Sequence, residues 1–600
     1  MRPILKINLT TQKTELYNVP PDWQRDYLGG SSLAARMLYD HLTPDLDPLS
    51  PEAPLLFLTG PLTGTAGPAV GRFVICGRSP ATGLWAESNC GGFWGPELCK
   101  AGFDGLWMTG RADHPVYLWL QNGHVNLQDA DHLWGLGTAQ TQEAVLAELE
   151  SRGKPRVAVI GPAGESQIPF ALILTDHGRV AGRTGLGAVM GSKNLKAIAV
   201  QGDHPIQVNA AYAPLRAAAN RALRDDNMSL VLRDLGSASG ADYFDYLGDM
   251  PKKYFQSGVF DGAEKMTGAA MAETILTGVK ACHACVIACG RVIHLDDVDD
   301  RKGPEYETIV GFGPNLLIDD LPFAARMGVL CDSYGMDTIS LSNTLGLVFS
   351  LFETGIISEV DTNGLALNWG DTEVVETLVH QTAQGEGLGL LIGRGARALA
   401  RHFSVEDQAV QVNGLEVPYH DPRASSGMAL VYATSPRGAC HNQSDYFFVD
   451  LLGHVEETLN MDAFDRHAGA EKAANVVLHQ NWRTVFNALV ICIFANLPPD
   501  DLLNLVNALL DTDYNLDSLI QVGERAWNLK RLINQRLGLT SADDRLPQAL
   551  LEPYPDGGAA DYQIPFDDLI NAYYAARGWD LGTGMPTPAK LNQLDLELGH

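Results

Sequence analysis

The sequence predicts an α+β chain: a β-rich N-terminal domain of two packed sheets, followed by two mainly helical domains. Three observations carry this. Short apolar runs broken by Gly, Pro and Asn dominate the first two hundred or so residues. Beyond about residue 208 the apolar spacing changes from the strand period to the helix period. The chain has 600 residues, 46% of them hydrophobic and 19% charged, an ordinary globular composition; that length allows about three or four domains. The boundaries read as 1–207, 208–417 and 418–600, with no fixed-period repeat.

In order along the chain, Ile4–Thr10 partly alternates and Lys13–Val19 can pair back with it. Leu55–Thr59, Arg72–Cys76, Leu106–Thr109, Val116–Leu120, Val157–Ile160, Phe170–Leu174 and Ala197–Val200 read as further strands, and Ser32–His41 and Thr138–Ser151 as helices. The second domain shows helical spacing over Ala210–Arg224, Ala269–Thr277, Leu321–Ser333, Thr338–Thr354 and Glu373–Gln384. Leu365–Gly370 and Ala409–Pro418 read as connections. Helices dominate again from Asp462, with Leu502–Leu510 and Leu519–Leu537 each burying one face. The apolar run Ala488–Ala495 reads as a core element.

The charge balance excludes some partners. With 43 basic against 72 acidic residues the net charge is -29, which argues against nucleic acid and against anionic membrane as the main partner. Nine cysteines, an odd number scattered over a long chain, do not form a secreted disulfide framework. The N-terminus lacks a signal peptide's apolar core, and no apolar run reaches membrane-spanning length. A reducing cytoplasm and no membrane insertion are the expectation.

The residues richest in chemistry are Cys282-His-Ala-Cys285-Val-Ile-Ala-Cys289. On a helical turn this spacing points three sulfurs at one place, and soft thiolates so gathered bind an iron–sulfur cluster or zinc. Structural zinc favours paired CxxC units, and no second pair exists; buried free cysteines are the bland alternative. A four-iron cluster needs a fourth thiolate from elsewhere. Gly182–Lys193 is glycine-dense and brings backbone N–H groups close to anions, but its spacing is neither that of a P-loop nor of a dinucleotide fold; a plain tight turn is the alternative. Ser88-Asn-Cys-Gly-Gly-Phe-Trp94 reads as a second glycine-rich turn. Glu305, Glu307 and His441 are each, taken alone, ordinary surface or core residues. Asp332-Ser-Tyr-Gly-Met-Asp337 and Asn487-Ala-Leu-Val-Ile-Cys492 share a six-residue frame, a polar acceptor opening it and a potential ligand closing it.

Together these stretches resemble the aldehyde:ferredoxin oxidoreductase family over almost the full length. Also matching are Leu5-Lys-Ile-Asn-Leu-Thr-Thr, Gly60-Pro-Leu-Thr-Gly, Gly187-Ala-Val-Met-Gly-Ser-Lys-Asn-Leu-Lys, Gly303-Pro-Glu-Tyr-Glu and Tyr574-Ala-Ala-Arg-Gly-Trp-Asp. The resemblance implies a [4Fe-4S] cluster on Cys282, Cys285, Cys289 and Cys492, and a tungsten (or molybdenum) bis-pterin. It implies pterin contacts from Asn89, Gly91, Arg179, Gly182 and Arg183, and from Asp332, Met336, Asp337, Asn487 and Ile491 in the two six-residue frames. Arg72 is then the arginine between cluster and pterin, and Glu307 and His441 the acid/base pair beside the metal.

The implied reaction is oxidation of a small aldehyde with water to a carboxylic acid, the electrons passing to ferredoxin or an iron–sulfur partner subunit. Docking of an acidic ferredoxin needs a local basic patch on this acidic chain. Three departures stand out. Asn487 and Val490 replace the aspartate and glycine of the family's fourth-cysteine motif, and Gln443 replaces a lysine two residues after the histidine. A homodimer is among the implied assemblies, although the family's interfacial iron site has no match, Arg326 standing at its glutamate position. Two rivals remain: a non-catalytic iron–sulfur electron-transfer subunit, and a relative reducing another substrate such as an aromatic thioester.

Overall fold

The computed structural model describes residues 1–149, 154–176, 178–296 and 298–596. Its N-terminal part holds two six-stranded mixed sheets. The strands are β1 (Ile4–Asn8), β2 (Lys13–Tyr17), β3 (Leu55–Leu58), β4 (Arg72–Arg78), β5 (Trp85–Gly91), β6 (Gly105–Thr109), β7 (Val116–Gln121), β8 (His124–Asp129), β9 (Arg156–Val159), β10 (Ile173–Thr175), β11 (Arg179–Ala181) and β12 (Leu195–Gln201). The first sheet runs β2-β1-β6-β3-β4-β5 and the second β11-β10-β9-β12-β7-β8. Only β1–β6 and β7–β12 are parallel pairs.

Side-chain alternation explains the layers. Leu55 and Phe57 of β3, and Phe73 and Ile75 of β4, share one core with Leu118 and Leu120 of β7 and Ile198 and Val200 of β12. The two sheets therefore pack face to face. The alternate residues Leu56, Leu58, Val74 and Cys76 point the other way. There they meet Leu33 and Met37 of the Gly30–Leu38 helix and Leu529 and Ile533 of the Leu516–Arg536 helix. The outer face of the first sheet is thus covered by a helix from the far end of the chain. The second sheet buries Tyr117, Trp119, Ala197 and Ala199 against the Thr138–Leu149 helix.

Several sequence expectations change here. Ser88–Gly91 is not a turn but the end of β5, an edge strand whose polar residues face a cavity; the strand signal failed because those positions are not apolar. Beyond residue 208 the chain is largely helical, but Leu276–Lys280 (β13), Gly290–Leu295 (β14) and Val298–Lys302 (β15) form a three-stranded sheet. The cysteine triad lies in the irregular connection between β13 and β14, not on a helical turn. Ala284 and Ala288, each directly before a cysteine, adopt left-handed backbone angles (φ 52° and 57°), which a right-handed helix excludes. The run Ala488–Ala495 also divides: the helix Ala473–Leu489 ends at Val490, and the rest is an irregular segment partly lining the cavity.

That helix end shows how tightly the two parts join. Val490 caps the helix at φ 57° and ψ 47°, a conformation costly for a β-branched residue. Its side chain is fully buried among Leu33, Leu58 and Val74. Gly30 and Gly60 make the fit possible: a Cβ on Gly60 would collide with the Leu489 carbonyl, and one on Gly30 with the Asn487 carbonyl. Burial of the valine side chain, about 1.5–3 kcal/mol, offsets the roughly 1–2 kcal/mol of left-handed strain.

Gly60→Ala is therefore expected to destabilise the protein by at least about 1–3 kcal/mol, the usual cost of overpacking, because the obstacle is backbone and not a movable side chain. Denaturant unfolding of the variant checks this, and an unchanged midpoint would show that the helix end is free to shift.

Candidate active site

The edge hairpin β4–β5 places the first site residues. Its register pairs Arg72 with Gly91 and Val74 with Asn89. Residues two apart share a face, so Glu87, Asn89 and Gly91 line up beside Arg72. All four line one cavity of about 360 Å³ between the sheets and the helical part. Arg72 ties its walls together: Nε donates to Asn89 Oδ1 (2.6 Å), Nη2 to the Asn89 carbonyl (3.2 Å) and Nη1 to Cys492 Sγ (3.6 Å).

Cys282, Cys285, Cys289 and Cys492 line the same cavity. Cys492 is held by its N–H to the Ala69 carbonyl (3.1 Å), and a Cβ on Gly91 would lie 2.8 Å from Cys282 Sγ. Burial pushes the Cys285 thiol up to about 11, with Cys492 and Cys282 adding to the rise. Burial lifts Cys289 well above its ordinary value, with Glu305 and Cys492 adding to it. Left alone, such groups stay protonated; a bound metal reverses this. Among the described residues no three His, Cys, Asp or Glu side chains converge tightly enough for a single metal ion.

The surrounding charges are unusual. Burial works against the Arg72 guanidinium, yet Cys492, Cys282 and Cys90 hold it above its ordinary value. Arg179 behaves alike, burial opposed by Cys282, Cys289 and Glu305. Among the described residues neither arginine has a carboxylate within 4.0 Å; Arg179 donates to the Lys280 carbonyl (3.0 Å). Buried cations need counter-charge, which protonated thiols do not supply by themselves.

The two six-residue frames take the same shape. Asp332 and Asn487 sit in the last turns of their helices, and Gly335 and Val490 are the left-handed caps. Asp332 accepts from Lys302 Nζ (3.3 Å); burial raises its carboxyl, which Lys302 partly counters. Asp337 caps the Thr338–Glu353 helix and accepts from the Arg183 N–H (3.2 Å). Gly182 lines the cavity, and Arg183, Thr184 and Gly185 form a left-handed run that starts the Leu186–Ser192 helix. Asn487 Nδ2 is buried with no partner, and Ile491 lines the cavity beside it. Met336 differs: its side chain is fully buried and does not line the cavity, and its backbone forms a β-bridge with Ala171.

Glu307 opens the Tyr306–Phe312 helix, and its Oε2 accepts from the Tyr419 N–H (2.9 Å). Its Oε1 has no hydrogen-bond partner and lies 3.7 Å from His441 Nδ1, also unpartnered. Burial raises the Glu307 carboxyl, against the pull of His420, the Tyr419 N–H and Arg183. Burial lowers His441 well below an ordinary histidine, and His420, Arg183 and Arg437 add to the effect. Sequence reasoning missed His420, whose Nε2 lies 3.8 Å from Glu307 Oε1, and Asp249 behind it. No spacing links residues 171 positions apart, although Tyr419-His420-Asp421 is a dense polar run. It also missed Arg437, which lines the cavity with its Nε unpartnered.

Family models match nearly the whole chain: aldehyde ferredoxin oxidoreductase, N-terminal domain, over residues 4–202, and its domains 2 and 3 over residues 215–596. A tungsten-containing aldehyde ferredoxin oxidoreductase of Pyrococcus abyssi is 37% identical, covering 99% of this chain and 98% of the relative. That of Pyrococcus furiosus is 36% identical over the same shares. The WOR-like subunit of an aliphatic sulfonate oxidoreductase from Pyrococcus furiosus is 27% identical over 99% and 96%. In fold, the chain superposes on the active-site complex BamBC of benzoyl coenzyme A reductase with a TM-score of 0.85, at 24% identity over 99% and 98% of the two chains.

A raised Glu307 means that its ionised form costs stability at neutral pH. The cost fades as pH falls through the folded value toward the unfolded one. Glu307→Gln is expected to raise the thermal midpoint at pH 7, with an advantage that shrinks in acid, when wild type and variant are compared in the same cofactor state. A variant no more stable than wild type at pH 7 would contradict the assigned burial cost.

Proposed function

The chain belongs to the aldehyde ferredoxin oxidoreductase family, an oxidoreductase lineage, and from that membership we propose that it oxidises an aldehyde with water to a carboxylic acid. The observation that carries this reading is the pair of unpartnered atoms Glu307 Oε1 and His441 Nδ1, 3.7 Å apart, in the cavity that four thiols also line.

The residues fit the cofactors that the family implies. Cys282, Cys285, Cys289 and Cys492 would hold a [4Fe-4S] cluster, whose anionic sulfurs answer the carboxylate-free Arg72 and Arg179. Asn487 Nδ2, buried without a partner, would donate to a pterin, with Asn89, Arg183, Asp332 and Asp337 around it. When bound, a tungsten or molybdenum bis-pterin supplies the two-electron acceptor and a Lewis acid. A cluster held there would supply a route for the two electrons toward a ferredoxin-type carrier in a reducing cytoplasm.

The chain's own residues do the rest. Glu307 takes the proton of the attacking water on Oε1, while the Tyr419 N–H fixes Oε2. Its raised pKa, set by burial, brings the acceptor nearer working pH. His441 stays uncharged because burial lowers it, so it donates a hydrogen bond to the carbonyl oxygen without itself titrating. Phe447, Phe448, Phe486 and Phe494 on the cavity wall give the aldehyde's carbon chain an apolar surface to lie against.

Glu307→Gln is expected to keep iron and tungsten or molybdenum while losing about 10²–10⁴ in turnover, the usual contribution of acid–base catalysis. His441→Ala should cost about 3 kcal/mol of transition-state stabilisation on the oxyanion-donor scale. Steady-state aldehyde oxidation by metal-loaded variants checks both, and undiminished turnover in Glu307→Gln would sink the assignment.

A further inference from the structure

The proton taken from water has to leave Glu307 between turnovers, and one histidine stands beside the carboxyl to receive it. His420 is 4% exposed and Asp249 is fully buried. His420 Nδ1 lies 2.6 Å from Asp249 Oδ2, and its Nε2 faces Glu307 Oε1 at 3.8 Å. The ring cannot turn freely. It stacks on Phe447 at 3.7 Å and 14° and on Tyr306 at 4.8 Å and 21°, with Phe244 edge-on at 5.2 Å. Its backbone carbonyl accepts from the Tyr432 hydroxyl (2.7 Å).

Nothing in a purely structural role needs this arrangement. Asp249 is a buried carboxylate whose own desolvation raises it, countered chiefly by His420, and its Oδ1 has no hydrogen-bond partner. Burying such a pair carries a desolvation cost, and ionisable groups so placed against a cavity are candidates for function. Asp421 and Lys252 also act on Asp249, Arg183 and Asp249 act on Glu307, and Arg183 and Arg437 act on His441 from the cavity side. Lys252, fully buried, pairs with Asp245 at 2.5 Å, and the Asp245 side chain is one-third exposed.

We propose that His420 and Asp249 are positioning residues that form a proton relay behind Glu307; the inference rests on the aldehyde-oxidising reading above. Oxidation of RCHO with H2O to RCOOH releases two electrons to the cofactor and two protons. Glu307 Oε1 takes a proton from water and hands it to His420 Nε2. The O–H bond of the protonated carboxyl breaks, an N–H bond forms, and Glu307 returns to carboxylate. The imidazolium is stabilised by its Nδ1–H donated to Asp249; as product leaves, its Nε2–H bond breaks, the proton passes to a water entering the cavity beside exposed Asn442, and His420 is neutral again before the next turnover. The 3.8 Å gap is longer than a hydrogen bond, so Glu307 has to close by about 1 Å on substrate binding, as catalytic contacts commonly do.

The test uses the holoenzyme and two variants, His420→Gln and Asp249→Asn, the second preserving size and shape in case the first fails to fold. Two readouts are taken. The first is kcat, KM and the pH profile of aldehyde oxidation. Expected is a fall of about 10- to 100-fold in kcat, smaller than direct loss of the base, with KM unchanged and the profile displaced. The second is an infrared titration of the Glu307 carboxyl, isolated by difference from Glu307→Gln. Its midpoint is expected to rise in His420→Gln, where the imidazole that favours the carboxylate is gone, and to fall in Asp249→Asn, where a negative charge opposing it is gone. An unshifted Glu307 midpoint with wild-type kcat overturns the relay while leaving aldehyde oxidation intact. A wild-type enzyme that oxidises no aldehyde overturns the function reading, and the infrared titration still decides the relay.

Discussion

The arrangement depends on one partly buried guanidinium. Arg72 begins an edge strand of the first sheet, grips Asn89 on the neighbouring strand, and reaches Cys492 at the end of a helix 420 positions later. An arginine taken out of water without a carboxylate is tolerated only where other negative charge lies close. On the proposed cofactor reading, a cluster held by Cys282 and Cys492 beside it would supply that charge. That requirement brings the sheet, the triad loop and the C-terminal helix to one cavity and sets its electrostatic character.

The same junction shows how packing serves placement. Val490 keeps a left-handed backbone only because Gly30 and Gly60 leave room for its side chain and for the helix end. The next two residues, Ile491 and Cys492, are thereby aimed at the cavity. On the other side, Ala284 and Ala288 carry left-handed strain immediately before Cys285 and Cys289. Strain at the positions that aim ligands is characteristic of functional sites, and Glu307, His441 and Asp249 add desolvation cost in the same region.

Much of this was legible in the sequence. The change of apolar period gave the division into sheets and helices, and thiol spacing gave the triad. Cys492, Glu307 and His441 came only through resemblance, since no local pattern marks a lone cysteine, glutamate or histidine. β5 was read as a turn because its alternate residues serve the cavity and so are polar. The triad was read as helical because periodicity cannot report two left-handed alanines. Asp249 and His420 were invisible because only the tertiary fold brings them together.

We propose that this cavity is a redox cofactor site and not a set of buried thiols. Elemental analysis of the full chain purified without oxygen tests it most directly. The account predicts about four iron atoms per chain together with about one tungsten or molybdenum. Zinc in place of iron, or iron with neither heavier metal, would contradict it.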